Sequence, residues 1–258
     1  MTLRNGATVY IWEDKSKPDV FGMIAFKVGS VDDPEQYTGL AHYLEHVMFK
    51  GTQTIDALDW EKEKPIYEKI IAKYDERAAL SDPAAREAID KEINDLTREA
   101  AQYAAGNEFS LLVDHMGGQG LNASTGYDQT EYHNSFPPSQ LEKWLEIYSE
   151  RLIDPVFRGF QTELEAVYEE YNMYNDDRGS RMREFIYEQA FGDHPYARPI
   201  IGLPEHLKNP QLSKLIDFYN TWYGPQNMSI ILVGNIDAKE AIPMIRDKFE
   251  RVPRRAEI

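Results

Sequence analysis

One stretch decides how the rest of the chain is interpreted: Gly39-Leu-Ala-His42-Tyr-Leu-Glu45-His46-Val-Met-Phe-Lys-Gly51. In a helix, His42 and His46 lie one turn apart on one face and can bind a single ion. Glu45 directly precedes the second histidine, so it projects to the side of that face, within reach of a water on the ion. Two imidazoles beside a carboxylate base are the arrangement of zinc hydrolases, here in the inverted order His-x-x-Glu-His. Paired histidines at helical spacing also occur incidentally, so this interpretation needs a third ligand and a peptide-binding edge elsewhere.

Length and composition are those of a globular protein. The chain has 258 residues, enough for one large domain or two small ones, of which 42% are hydrophobic and 28% charged. The net charge of -16 argues against nucleic acid as a partner, because phosphates require a basic surface. No apolar run approaches the ~20 residues that a membrane span requires, so we expect no such span.

The chain contains no cysteine. Disulfides and thiolate–zinc sites are therefore excluded, and a metal ion would be held by histidine and carboxylate. Neither this absence nor the N-terminal residues identify the compartment. The bacterial periplasm or cell envelope is favoured over the cytoplasm as the expected location.

Turn signals and hydrophobic periodicity predict an α+β fold with a mainly antiparallel sheet covered by helices. The first two strands, 7–13 and 20–28, are close enough in sequence to suggest a hairpin. Two strands around a turn at Gly126 and one near the C-terminus complete the predicted sheet, at 121–125, 130–136 and 228–234. Beyond the His42 helix and residues 58–104, the predicted helices are 108–116, 140–152, 162–175, 182–191, 213–223 and 238–249.

Residues 58–104 differ in character from their surroundings. Apolar residues recur there at helical spacing among many charges, and Asp82-Pro83 predicts a helix stop followed by a new start. We interpret 58–104 as a charged helical hairpin inserted into a domain of residues 1–250. The polar, proline-containing segment 251–258 is expected to be a linker to a second half.

The third ligand is sought among carboxylates, because a catalytic zinc takes three protein ligands and leaves one position for water. The predicted helix around 160–170 offers four acids. Glu163 and Glu170 are seven residues apart, so they share a face at a separation of about 10.5 Å. Only one of them can bind a given ion, and the other could brace the site through a histidine. Spacing alone does not choose between the two.

Several motifs in the same order resemble the pitrilysin/insulysin/mitochondrial processing peptidase family of zinc metallopeptidases. The resemblance covers nearly the whole chain. Its motifs are Asn5-Gly6, Gly29-Ser30, the stretch from Gly39 to Thr52, Asn122-Ala-Ser-Thr-Gly-Tyr-Asp-Gln-Thr-Glu-Tyr132, Glu163 with Glu170, His194-Pro-Tyr, Ile201-Gly202 and Trp222-Tyr-Gly-Pro-Gln-Asn-Met228.

The resemblance implies a role for each matching residue. The ligands of one Zn²⁺ would be His42, His46 and Glu170, with Glu45 as the general base and Glu163 as a supporting acid. Substrate would bind as an added strand beside Asn122 and Ala123. The gap between His46 and Glu170 is longer than is usual in the family, and the hairpin at 58–104 would account for the excess.

The function expected from these roles is zinc-dependent hydrolysis of peptide bonds by an endopeptidase or oligopeptidase. Its partners would be a peptide or unfolded polypeptide and a homologous second half, which in this family usually supplies an arginine and a tyrosine to the site. The alternative is a non-catalytic peptide-binding or scaffold subunit. Relatives of that kind usually lose the His-x-x-Glu-His residues, which are intact here.

Overall fold

The computed structural model describes residues 1–255, and in this part of the chain a five-stranded sheet forms the centre of the fold. Its strands are β1 (Thr8–Glu13), β2 (Val20–Phe26), β3 (Gln119–Thr125), β4 (Thr130–Phe136) and β5 (Met228–Gly234). Their spatial order is β1-β5-β2-β4-β3. The pair β1–β5 is parallel and the other three are antiparallel, so the sheet is mixed but mainly antiparallel.

The predicted hairpin of the first two strands is wrong. β5 lies between them, and its Ile230 is opposite Val9 on one side and Ile24 on the other. All three side chains are buried, as is Leu232 of the same strand. A strand this apolar is stabilised by neighbours on both edges, so the last strand of the chain takes the central place. The predicted β3–β4 hairpin is confirmed.

Ten helices accompany the sheet in the described residues, which confirms the α+β class. They are α1 (Leu40–Val47), α2 (Trp60–Ala79), α3 (Pro83–Ala100), α4 (Glu108–His115), α5 (Leu141–Glu150), α6 (Phe160–Asp176), α7 (Arg178–Phe191), α8 (Pro204–Leu207), α9 (Leu212–Trp222) and α10 (Ala238–Phe249). None of these helices is long and apolar enough to cross a membrane.

One face of the sheet is covered and the other is open. On the covered face, Trp144 of α5 packs directly over Gly22, where a Cβ atom would lie 2.5 Å from the indole ring. Buried Asn134 accepts hydrogen bonds there from Trp144 Nε1 at 2.8 Å and Tyr148 Oη at 2.7 Å. On the other face Trp12 is 71% exposed. Alternation along each strand therefore directs one set of side chains into a single core.

The charged segment folds as the predicted pair of helices, α2 and α3. Asp82 caps α3 by accepting a hydrogen bond from the backbone nitrogen of Ala85 at 3.0 Å, and Pro83 is the first helical residue. Ile66, Ile70 and Tyr74 of α2 are buried. Its charged residues are mostly exposed, but Glu63 is buried. That 58–104 is an insertion stays a prediction.

The described part of the predicted linker packs on the domain. Val252 is buried, and its carbonyl accepts a hydrogen bond from Asn5 Nδ2 at 3.1 Å. The guanidinium of Arg255 donates to the side chain of Asn220 at 2.8 Å. Residues 256–258, which the linker prediction also includes, lie outside the described residues.

Candidate metal centre

Helix α1 carries the His-x-x-Glu-His residues and begins at a tightly held turn. Asp33 accepts hydrogen bonds from the backbone nitrogens of Gly39 at 2.7 Å and Ala41 at 2.9 Å. It therefore satisfies two of the donors that a helix N-terminus leaves free. Burial raises the pKa of Asp33 to about 7, against the opposing effect of these hydrogen bonds.

Two glycines allow a second segment to fix the same turn. Gly39 and Gly202 have φ angles of +90° and +92°, a region that favours glycine. A Cβ at Gly39 would lie 2.6 Å from the carbonyl oxygen of Ile201, and one at Gly202 would lie 2.7 Å from Gly39 Cα. The Ile201-Gly202 motif thus serves a close approach of two backbones at the start of α1.

Helix α6 reaches α1 through an aromatic contact at its first residue. The rings of Tyr43 and Phe160 are 4.8 Å apart, and the Tyr43 hydroxyl donates to the carbonyl of Phe160. Tyr74 of α2 contacts Phe160 from another side, also at 4.8 Å. This packing sets the position from which Glu163 and Glu170 extend towards α1.

The structure brings together His42, His46 and Glu170. One oxygen of Glu170 lies 3.6 Å from His42 Nε2 and 3.5 Å from His46 Nε2, and the three potential ligand atoms lie within 4.8 Å of one another. Tetrahedral zinc with bonds of about 2.0–2.2 Å separates its ligand atoms by roughly 3.3–3.6 Å. Two imidazoles and one carboxylate at these distances fit a catalytic zinc and leave a fourth position free.

Glu163 lies on the other side of His46. One of its oxygens is 3.5 Å from His46 Nδ1, and the other is 2.5 Å from Lys50 Nζ. Of the two acids that the sequence left open, only Glu170 is therefore near both histidines. Glu163 is placed to hold the ring of His46 through the nitrogen that faces away from Glu170.

Glu45 is half-buried beside this cluster. Its carboxylate accepts a hydrogen bond from Thr125 Oγ1 of β3 at 2.5 Å. Burial raises the pKa of Glu45, and the Thr125 hydrogen bond and His46 only partly oppose this. In the described part of the chain no lysine or arginine forms an ion pair with Glu45, and the cationic group that lowers its pKa is protonated His46.

The two histidines have opposite electrostatic environments. Burial, followed by the neighbouring charge of His46, lowers the pKa of His42 to about 4. For His46 burial also acts to lower the pKa, but hydrogen bonds to Glu163 and Glu170 outweigh it and raise the pKa to about 9. In the metal-free protein His46 therefore holds a proton between two carboxylates, and a metal ion would displace it.

A cavity of about 320 Å³ opens next to His42 and Glu45. Ala123 of β3 contributes to its wall, whereas Asn122 points to the open face of the sheet, opposite His133. β3 is an edge strand, so one side of its backbone has no partner strand in the sheet.

The cavity wall includes residues that sequence reasoning did not single out, among them Tyr174 and Arg183. Tyr174 follows Glu170 by one helical turn, and this spacing was the available signal. Arg183 of α7 has no carboxylate within ion-pair distance among the described residues. Nothing in the sequence around Arg183 indicated that α7 folds back beside α6.

Comparisons with known proteins agree with this geometry. The family model described as "Insulinase (Peptidase family M16)" matches residues 8–64 and 96–203, and a model of the "Peptidase M16 inactive domain" matches 211–257. Residues 65–95, within α2 and α3, lie outside both matches. A probable zinc protease of Escherichia coli, PqqL, is 26% identical over an alignment of 263 positions, which covers 97% of this chain and 23% of that protein.

Solved structures show the same fold. A protease from Helicobacter pylori has a TM-score of 0.77 at 22% identity, over 100% of this chain and 51% of that one. The first half of the periplasmic protease PqqL from Escherichia coli has a TM-score of 0.74 at 25% identity, over 100% of this chain and 47% of that one. The chain thus spans between about a quarter and a half of the relatives it matches. Because the insulinase model covers more than half of its residues, the chain belongs to the insulinase family of peptidases, as the motifs around His42 predicted.

Proposed function

We propose that the chain carries the metal-binding half-site of a zinc-dependent peptidase that hydrolyses peptide bonds within polypeptides or oligopeptides. The observation that carries this proposal is the convergence of His42, His46 and Glu170 from two helices, with Glu45 beside them in an open cavity. Relatives named as zinc proteases support the same reading. The proposed ligands are His42, His46 and Glu170, and Glu163 is the proposed support of His46.

Each residue contributes a defined part of the chemistry. His42, His46 and Glu170 would hold a Zn²⁺ ion, which would supply a Lewis acid for a peptide carbonyl and lower the pKa of a water towards neutrality. Glu45 takes the proton of the attacking water and delivers it to the leaving amine nitrogen. Its raised pKa suits both steps, because a base with a very low pKa would bind the proton too weakly. Thr125 orients the Glu45 carboxylate by its hydrogen bond.

The substrate is proposed to bind as an added strand along β3. The free edge of this strand leads to the cavity, where Ala123 and Thr125 lie beside Glu45. Main-chain hydrogen bonds along such an edge give affinity without demanding a particular sequence. Asn122, on the open face, is placed to contact a neighbouring residue of the peptide rather than the cavity.

A homologous second half is proposed to complete the site. The solved relatives that cover this chain are about two to four times as long, and one of them is described as the first half of a protease. By the same comparison we propose a periplasmic location, because PqqL is described as a periplasmic protease. The isolated chain is expected to bind zinc and to require the second half for full turnover.

The variant Glu45→Gln tests the proposal directly. It removes the base and leaves all three ligands, so zinc content should stay at one per chain while turnover falls on the order of 10²-fold or more. The measurement is metal content together with cleavage of an internally quenched peptide, in the presence of the second half. Glu99→Gln, an exposed acid on α3, is the control.

Unchanged turnover in Glu45→Gln would refute the assignment. If the wild-type protein binds zinc and peptide but cleaves nothing even with the second half present, the protein is instead a peptide-binding scaffold. Cleavage that persists after chelation would exclude a metal-dependent reaction.

A further inference from the structure

We infer that Lys50 is a positioning residue of the metal centre, which anchors Glu163 and through it the ring of His46. This inference rests on the proposed function, because it concerns the support of the same ligands.

The two oxygens of Glu163 have separate partners. Oε2 is 3.5 Å from His46 Nδ1, and Oε1 is 2.5 Å from Lys50 Nζ. The Glu163 side chain is 16% exposed and that of Lys50 is 27% exposed, so this pair is shielded from water more than a surface ion pair is. The lysine therefore fixes the rotation of the carboxylate that faces His46.

Lys50 reaches this position because the chain continues the path of α1. It follows His46 by four residues, and its backbone nitrogen donates to the carbonyl of Val47 at 3.0 Å. Residues four apart on such a path lie on one side. Lys50 and His46 can therefore bind the same carboxylate from neighbouring turns.

The backbone of Lys50 is held from the side of the charged hairpin. Its carbonyl accepts a hydrogen bond from Arg158 Nη1 at 3.2 Å. Arg158 is itself held by Glu63 of α2 through two hydrogen bonds, of 2.6 and 2.8 Å. Both of these side chains are nearly excluded from solvent, with 11% and 2% exposed. The backbone from which the Lys50 side chain extends to Glu163 is therefore held in place.

Charge gives a second reason for the lysine. Glu163 and Glu170 both face His46, and two carboxylates that share one imidazole repel each other. Lys50 neutralises the one that is not needed at the ion.

The test is the zinc affinity of Lys50→Met, measured by competition with a chromogenic chelator at pH 7.5. Loss of a group that orients a ligand usually costs about 10–100-fold in metal affinity, and we expect a loss in this range. Lys50→Arg should keep the affinity within roughly threefold of wild type, because it keeps the charge and the donor. The absorption spectrum of the Co²⁺-loaded protein reports the geometry of the site independently of activity.

Lys73→Met is the matched control. Lys73 is 28% exposed and pairs with Glu76 and Glu92 at 2.8 and 2.7 Å, but it lies on α2 away from the metal ligands. It should leave zinc affinity and the Co²⁺ spectrum unchanged. In a double-mutant cycle, Lys50→Met and Glu163→Gln together should lower the affinity no more than Glu163→Gln alone.

Wild-type affinity in Lys50→Met, or an additive loss in the double variant, would overturn the inference. An equal loss in Lys50→Arg and Lys50→Met would do so too, since retained charge should rescue the site. If Lys50→Met does not fold in the metal-free state, Lys50→Gln replaces it under the same criteria. A wild-type protein that binds no zinc would overturn the proposed function itself, and that result is separate from any effect at Lys50.

Discussion

Two carboxylates near the C-terminal end of α1, one half-buried and one buried, have opposite surroundings. Glu63, on the hairpin side, forms two hydrogen bonds with Arg158 and is almost fully excluded from water. Glu45, on the cavity side, has a threonine hydroxyl and no ion-pair partner among the described residues. One acid is neutralised in a fixed geometry, and the other is left able to exchange a proton.

This difference corresponds to two tasks, a structural one for Glu63 and a proposed chemical one for Glu45. A paired, buried carboxylate holds the backbone where α1 ends, because its arginine also donates to the carbonyls of Lys50 and Ile55. An unpaired carboxylate keeps a raised pKa and access to the cavity. The ion-paired Glu63 thus supports the backbone beyond α1, and Glu45, which has no ion-pair partner among the described residues, faces the cavity.

Replacing Glu63 should give the largest change in stability. Glu63→Gln leaves the Arg158 guanidinium buried without a counter-charge, and breaking such a pair costs about 3–5 kcal/mol. Urea unfolding followed by circular dichroism measures the loss. Asp95→Asn, which removes the partner of exposed Arg98 on α3, is the control and should change little. Equal, small effects of the two substitutions would show that the Glu63 pair supports nothing.

Raising the pH should have the next largest effect, and only in the metal-free protein. The pKa of His46 is raised from 6.5 to about 9 in the folded state, so its stabilising contribution is complete below about pH 6.5. That contribution, on the order of 2 kcal/mol, is lost as the pH rises through about 9. Thermal unfolding of chelator-treated protein between pH 6 and 9.5 should show this decline.

The zinc-loaded protein should behave differently over the same range. Since the metal displaces the His46 proton, zinc affinity should increase as the pH rises towards 9. His46→Gln should remove the pH-dependent decline of the metal-free protein. A decline of equal size in this variant would assign it to another group.

Replacing Glu45 should have the smallest effect on stability, and in the opposite direction to Glu63. Its raised pKa means that the ionised form is disfavoured by folding, so the ionised carboxylate weakens the fold above its folded-state pKa. Glu45→Gln should therefore stabilise the metal-free protein by less than about 1 kcal/mol at pH 8. The gain should vanish near pH 4, where the carboxyl is protonated when folded. A clear destabilisation at pH 8 would contradict the contrast with Glu63.

The sequence predicted the parts of the site that depend on local geometry. His42 and His46 share a face because four residues make about one helical turn. Glu163 and Glu170 share a face for the same reason, and this is why spacing could not rank them. Their ranking depends on where α6 lies, which the Tyr43–Phe160 contact sets across 117 residues of sequence.

Non-local contacts also explain the failures. The β1–β2 hairpin was a fair expectation from spacing, but β5 enters between these strands from the far end of the chain. Lys50 was visible in the sequence four residues after His46, yet nothing local indicated that an acid from α6 would meet it. Arg183 lies in the cavity wall because α7 packs beside α6, and this packing is a non-local contact.

The irregularity of β3 limits the length over which a peptide could pair with this strand as proposed. A register shift between Gln119 and Asn122 leaves continuous pairing with β4 only over Asn122–Thr125. Four residues extend for about 13 Å, so a guest strand aligned there offers only two side chains to each face. Over so short a paired segment, selection of substrates by their amino-acid sequence would be weak. Two other properties of the peptide would then decide which polypeptides enter. They are its flexibility and the absence of proline where a main-chain donor is needed.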